Sequence, residues 1–269
     1  MAFSIDKVFT TRTALPKNVG FVEIEPISVL RPYVRCFWTF EHSKHTAART
    51  RIIPDCCADI IFDTTNNSAN FVGACANSFL TENVTDLFGI RFYVWAVPIF
   101  VRLNAVELFD FCTDSENLFD HFADFKEEIL TAKTIAQRVT LSQKYLIGFL
   151  GCDYDPEVMN CLYSVIDNNG CISVNDLSNS IAVSSRTLER KFAQNIGISP
   201  KTAIELIRYQ LLWQDCIKSK FSVSETVYKF GYYDQAHLYN DFKKFHGIGL
   251  SEARQEFFNL SRFYNTATI

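Results

Sequence analysis

Between residues 19 and 112, apolar and polar positions alternate in short runs rich in β-branched and aromatic residues, broken by polar, Pro or Asn clusters. The pattern predicts strands over 19–24, 34–40, 58–62, 70–75, 89–92 with 94–97, and 100–103, with a turn at Asn66-Asn67-Ser68. Strands of this length and spacing fit an antiparallel barrel or a double sheet. Past residue 114 the period becomes helical. Ser115 can cap a helix with Leu118, Phe122, Phe125 and Ile129 on one face, and a second helix over about 134–150 aligns Ile135, Val139, Leu146, Phe149 and Leu150. Amphipathicity alone does not say whether these stripes cover the strands or a second copy of the chain. Residues 1–15 read as a flexible arm.

Residues 151–154 read as the connection to a helical second half. Asp155-Pro156 has the form of an N-cap followed by Pro at the first helical position, and Asn168-Asn169-Gly170 stops that helix. One pattern is then written twice. Ser173 with Asp176, and Ser222 with Glu225, resemble capping boxes that close a first helical turn. A short helix, a tight turn and a second helix follow in each copy, anchored by Leu188/Phe192 and by Leu238/Phe242. Gly197 and Gly247 stand where those second helices end. The copies are offset by 49 residues before the turn and 50 after it. A helix from Pro200 to about 217 joins them, and its apolar positions wrap too much of the circumference for a surface helix. Helix, tight turn and helix outline a helix-turn-helix, whose second helix can enter a DNA major groove.

The tandem is similar to the DNA-binding domain of the AraC/XylS family of transcription regulators. The resemblance is carried by 184–192 (Ser-Ser-Arg-Thr-Leu-Glu-Arg-Lys-Phe), 197–200, 231–238 and 242–247, and covers roughly residues 156–256. It implies an α+β chain: an N-terminal antiparallel β-barrel, cupin-like, with following helices, then an all-α domain of two helix-turn-helix units on a rigid connecting helix. The domains would be 1–152, for effector binding or dimerisation, and 153–269, for DNA. Double-stranded DNA would be the main partner, with a small-molecule effector, a homodimer and RNA polymerase as further ones. Three positions depart from the family's pattern. Ala182 stands at a turn position where Gly is usual, His237 and Tyr239 flank Leu238, and Ile248-Gly249-Leu250 lacks the proline present as Pro200.

Composition narrows the alternatives. The 269 residues suffice for two domains, and 48% hydrophobic with 21% charged residues is a globular balance. Residues 160–269 hold 12 Lys/Arg and 10 Asp/Glu, which leaves 14 and 20 for the rest of a chain of net charge −4. The asymmetry has the sign that DNA binding asks for, though its size is small. Nine scattered cysteines without a C-x-x-C pair point to reduced thiols, and the lack of a basic, then apolar, leader points to a cytoplasmic protein without a membrane span.

Candidate chemistry is concentrated in the two second helices. With Leu188 and Phe192 inward, Ser185, Arg186, Thr187, Glu189 and Arg190 face outward or lead into the groove. Arginine makes bidentate contacts with guanine or binds phosphate. With Leu238 and Phe242 inward, Gln235, Ala236, Tyr239, Asn240, Lys243 and Lys244 are the outward set; Gln and Asn suit adenine edges and Lys suits phosphates. Cys56-Cys57 between Asp55 and Asp59 suggests a metal or thiol switch, with His42 and His45 as the nearby partners, against a plain reading as small buried hydrophobes. The 25 phenylalanines can pack a core or line an apolar cavity. No phosphate loop, nucleophile elbow or H-E-x-x-H is present, so no catalytic residue, cofactor or metal is assigned. Besides a regulator, two classes stay open: a relative that lost DNA affinity and serves as an interaction module, and an enzyme with a cupin-like site.

Overall fold

The computed structural model describes residues 21–41, 49–82, 86–101, 104–119, 121–151, 154–218 and 221–265. The arm expected over 1–15, together with His42 and His45, lies outside them. Strands come first: β1 (Phe21–Ile24), β2 (Val34–Phe40), β3 (Arg49–Ile52), β4 (Cys57–Asp63), β5 (Ser68–Val72), β6 (Phe79–Glu82), β7 (Leu87–Tyr93) and β8 (Cys112–Asp114). Six pair antiparallel in the order β1-β2-β7-β4-β5-β8, and β3 with β6 makes a separate antiparallel ribbon. The expected antiparallel N-terminal architecture is therefore present, as an open sheet plus a ribbon among the described residues.

One expected strand is otherwise built. Residues 94–97 do not continue β7: Val94–Ala96 is a 3-10 turn, and α1 (Val97–Phe100) follows; of the strand expected over 100–103, Phe100 ends α1 and residues 102 and 103 lie outside the described residues. Pro98 lies in the first turn of α1, where its missing N–H costs nothing, whereas in a ladder it would remove a donor. β3, β6 and β8 escape the alternation test because they are three or four residues long and partly polar. The helix expected from Ser115 starts later. Ser115–Asn117 is a 3-10 turn and His121, in the left-handed region at φ 53°, restarts the chain into α2 (Phe122–Thr131).

One face of the sheet is an aromatic core. Phe88 opposes Phe62 across β7 and β4, and Phe62 lies 6.0 Å from Phe122 and 5.7 Å from Phe125 of α2. α3 (Ile135–Ile147) adds Tyr145, stacked on Phe125 at 4.0 Å. The α2 stripe thus packs on the sheet, and these phenylalanines serve as core. Ile135, expected on the buried stripe of α3, is only half-buried because the helix inserts its C-terminal part, with Leu146 fully covered.

The opposite face buries charge. Arg91 on β7 reaches Asp59 at 2.9 Å and Asp55 at 3.2 Å, and Trp38 Nε1 donates to Asp59 at 2.8 Å. Burial, reinforced by the like charge of Asp59 and opposed by Arg91, pushes the Asp55 carboxyl up to about 6. Asp59 is therefore a mid-strand ion-pair partner, while Asp63 at the end of β4 accepts from the Thr65 and Asn66 amides as a turn residue does. Burial pushes the Cys56 and Cys57 thiols well above their ordinary range, the environment of inert packing residues.

The C-terminal half is helical: α4 (Pro156–Asp167), α5 (Val174–Ser180), α6 (Ser185–Asn195), α7 (Pro200–Cys216), α8 (Val223–Lys229), α9 (Gln235–His246) and α10 (Leu250–Asn265). The repeat is a three-helix unit, α5-α6-α7 followed by α8-α9-α10. Leu250 opens α10 where Pro200 opens α7, so the second unit folds without that proline. Ser173 and Asp176 form a full capping box, whereas Ser222 only accepts from the Glu225 amide. No described helix is long and apolar enough to cross a membrane.

The turn between the paired helices takes the left-handed region in both units, at Ala182 (φ 54°) and Gly231 (φ 63°). A left-handed residue with a Cβ costs about 1 kcal/mol, so Ala182→Gly raises the unfolding free energy by about that amount. A Cβ on Gly231 would also press on Cys171 Sγ at 3.0 Å, so Gly231→Ala lowers it by about 1 kcal/mol or more. Urea midpoints of the two variants check this; an unchanged or lowered midpoint for Ala182→Gly would refute the account of the turn.

Candidate nucleic-acid interface

Each second helix is started by a side-chain cap and held by two buried anchors. Ser184 Oγ accepts from the Thr187 amide at 3.2 Å and Asp234 Oδ1 from the His237 amide at 2.8 Å. Such caps satisfy amides that the helix leaves orphaned. Leu188, Phe192, Leu238 and Phe242 are 0% exposed. Phe242 lies 5.8 Å from both Tyr209 and Trp213 of α7, so the connecting helix is the shared floor on which α9 rests.

With the anchors inward, the polar stripe is set. Arg186, Glu189 and Arg190 on α6 are exposed, as are Gln235, Ala236, Tyr239, Asn240 and Lys243 on α9. Among the described residues none of these polar side chains has a hydrogen-bond or ion-pair partner. Arg186 stands in the first turn of α6, where a cation opposes the helix dipole, and no acid stands in that turn to compensate it. Three other predicted residues are tied into the structure. Ser185 Oγ donates to Asn175 Oδ1 at 3.2 Å, Thr187 Oγ1 shares a hydrogen with the Ser184 cap at 2.9 Å, and Lys244 pairs with Glu205 at 2.7 Å while lying over the Phe245 ring. Two residues that sequence reasoning passed over extend the exposed surface. Gln194 continues the α6 stripe eight positions after Arg186, and Tyr233, 92% exposed, precedes the cap of α9. The helical spacing from Arg186 is the signal that could have found Gln194.

Several other described cations of the domain neutralise acids within it. Lys191 reaches Asp155 at 2.6 Å and Glu157 at 2.9 Å, Arg208 reaches Asp241 at 2.9 Å, and Lys229 reaches Asp215 at 3.0 Å. This sorting explains how a domain of small net charge can still expose unpaired arginine and lysine on one stripe.

Both helices end on a left-handed glycine, Gly197 (φ 85°) and Gly247 (φ 80°). The residue before Gly247 is His246, 3% exposed, with Nδ1 2.8 Å from Tyr209 Oη and its ring stacked on Phe242 at 4.7 Å. Burial, with the Arg51 charge adding to it, lowers the imidazole to about 3.

Residues 177–256 match a family model described as a helix-turn-helix domain. This is an AraC-type tandem domain. Residues 22–114 match a model described as a domain of unknown function, DUF6597. No curated protein matches the sequence. Among solved structures, ToxT from Vibrio cholerae is similar at 10% identity, over 82% of this chain and 97% of that one, with a TM-score of 0.45. ToxT bound to (E)-4-(8-methylnaphthalen-1-yl)but-3-enoic acid gives 10% identity over 88% and 99% of the two chains, with a TM-score of 0.43. Likeness of this degree carries no functional weight, and the assignment rests on the residues of the AraC-type domain itself.

The neutral His246 at the foot of the second reading helix makes the AraC-type domain acid-sensitive. Unfolded, the imidazole takes its proton near its ordinary value of 6.5; folded, it does so only near 3. Its stabilising share is therefore complete above pH 6.5 and is lost as pH falls through that value, by about 2 kcal/mol at pH 5. His246→Asn should lose less stability than the parent chain between pH 7 and pH 5 in urea unfolding. Identical pH slopes would remove His246 from the account.

Proposed function

We propose that the chain is a sequence-specific transcription regulator that reads double-stranded DNA with α6 and α9, and that residues 153–269 form the DNA-binding domain. The observation that carries this reading is the pair of repeat-related helices that each bury an apolar anchor pair and expose an unpartnered polar stripe. On this reading the helices enter successive major grooves on one face of the duplex, about 10 bp apart. Arg186 and Arg190 contact guanine edges or phosphates in one half-site. Gln235, Asn240 and Lys243 do the equivalent work in the other, with Ser185, Thr187, Glu189, Ala236, Tyr239 and Lys244 shaping the contact. The regulator is cytoplasmic and not an enzyme. Residues 1–152 supply control through a small molecule or through homodimerisation, and RNA polymerase is the downstream partner.

A second reading, an interaction module without DNA affinity, is favoured by one observation: Lys191, Arg208, Lys229 and Lys244 are already paired with acids. Salt separates the two readings, because phosphate contacts make affinity fall steeply with salt concentration.

Arg186→Ala and Arg190→Ala should each weaken binding to a duplex enriched by the parent chain from a random pool by about 1–3 kcal/mol, or roughly five- to 150-fold. The slope of log affinity against log salt should shrink by about one for whichever arginine contacts phosphate. Undiminished binding by both variants would refute the site assignment; binding indifferent to salt would favour the interaction module.

A further inference from the structure

The glycines that close the two reading helices share a second property. At each, a segment of the N-terminal half packs so near that a Cβ would not fit. A Cβ on Gly197 would lie 2.1 Å from the Ala105 carbonyl oxygen, and one on Gly247 would lie 2.7 Å from Ser78 Oγ. Both approaches are built. Ala105–Leu108 is a 3-10 turn held by the reciprocal Asn104–Glu107 capping box. Ser78 donates from its amide to the Phe245 carbonyl at 3.2 Å and from its hydroxyl to the His246 carbonyl at 2.6 Å. These are carbonyls at the end of α9, where a helix leaves acceptors unfilled.

A third contact lies between the two jaws. Gln210 on α7, 1% exposed, donates from Nε2 to the Pro54 carbonyl. Pro54 adjoins Asp55, whose carboxylate is held by Arg91 inside the sheet. Arg51 on β3 pairs with Glu256 on α10 at 3.2 Å. The buried apolar cluster is continuous from the sheet to α9, so the two halves share one core. None of these contacts uses Arg186, Arg190, Gln235, Asn240 or Lys243, and the stripes that face away from the N-terminal half stay exposed.

We propose that the N-terminal half acts as an intramolecular clamp, gripping both reading helices by their C-terminal ends and so fixing the one separation and orientation at which both stripes meet DNA together. The proposal rests on the DNA-reading function above. Two tethered binding units gain from each other only when their geometry allows simultaneous engagement, and rigidity in that geometry removes an ordering cost from binding. A clamp applied at the end of each helix remote from the bases does this without covering a reading surface. It adds to α7, which joins the units at one place only.

The test uses the full chain and two variants that loosen one jaw each: Ser78→Ala with Arg51→Ala, and Asn104→Ala, which frees the 105–108 turn. Amide exchange at 243–248 in the first variant, and at 193–198 in the second, should quicken at least tenfold, since local opening sets the exchange rate. Affinity for a bipartite duplex enriched by the parent chain should fall about tenfold, while affinity for the same duplex with one half-site scrambled should stay unchanged. Unaltered exchange in both variants would overturn the clamp. So would tighter bipartite binding, which would mean that the contacts hold the helices in a non-binding arrangement, or an equal loss on both duplexes. If the parent chain enriches no duplex, the DNA-reading function falls while exchange still decides whether the jaws hold.

Discussion

The burial of α7 on nearly its whole circumference is the constraint on which the C-terminal half depends. Ile204, Ile207, Tyr209, Leu212, Trp213 and Cys216 are all covered, with α4, α6 and α9 packed on the helix and Phe257 of α10 against Trp213. A helix covered on nearly all sides has little solvent face to rotate toward, so its axial position and its rotation are both set by packing. Each reading helix inherits its direction from that packing: Phe242 rests on Tyr209 and Trp213, and Arg208 ties α7 to α9 through Asp241. The exposed stripes need no surface interaction to hold them, which is why their polar groups are left unpaired.

The sheet depends on a different kind of interaction. Arg91, Asp55 and Asp59 are ionic groups in an apolar wall, and Trp38 fills one of the remaining acceptor positions. Such a network adds little net stability relative to a packed apolar alternative, but leaving it half-satisfied is costly. Its structural effect is to fix the segment from Pro54 to Cys57, where Cys56 takes a left-handed conformation and Pro54 meets α7. Charge inside the N-terminal half and the position of the connecting helix are thus joined through four residues.

The tandem was legible in the sequence because its signals are local. A cap, an anchor pair four residues apart and a closing glycine all fall within 26 positions in each unit, and the inward and outward sides of α6 and α9 follow from them. The strand pairing was less legible: β3, β6 and β8 are too short for alternation to register, and Pro98 turned an apparently β-rich run into a helix. Lys244 illustrates the limit at the site. Its outward rotation was readable, but Glu205, the acid that holds it, is 39 residues away. Ser78 and Gln210 carry no local mark of their roles, since a serine in a loop and a glutamine in a helix acquire partners only when distant segments meet.

The left-handed Ala182 gives the domain a direction of opening. The two units share their anchors, their caps and their floor, yet only the first carries conformational strain in its turn. Strain of this kind lowers the free energy of any opening that releases it, so local opening of the first unit gains as much as global unfolding does. Fluctuations that detach a reading helix from its neighbour therefore begin at α5 and α6, while α8 and α9 stay assembled. A domain that looks symmetric at rest is, in its excited states, a stable second unit carrying a looser first one.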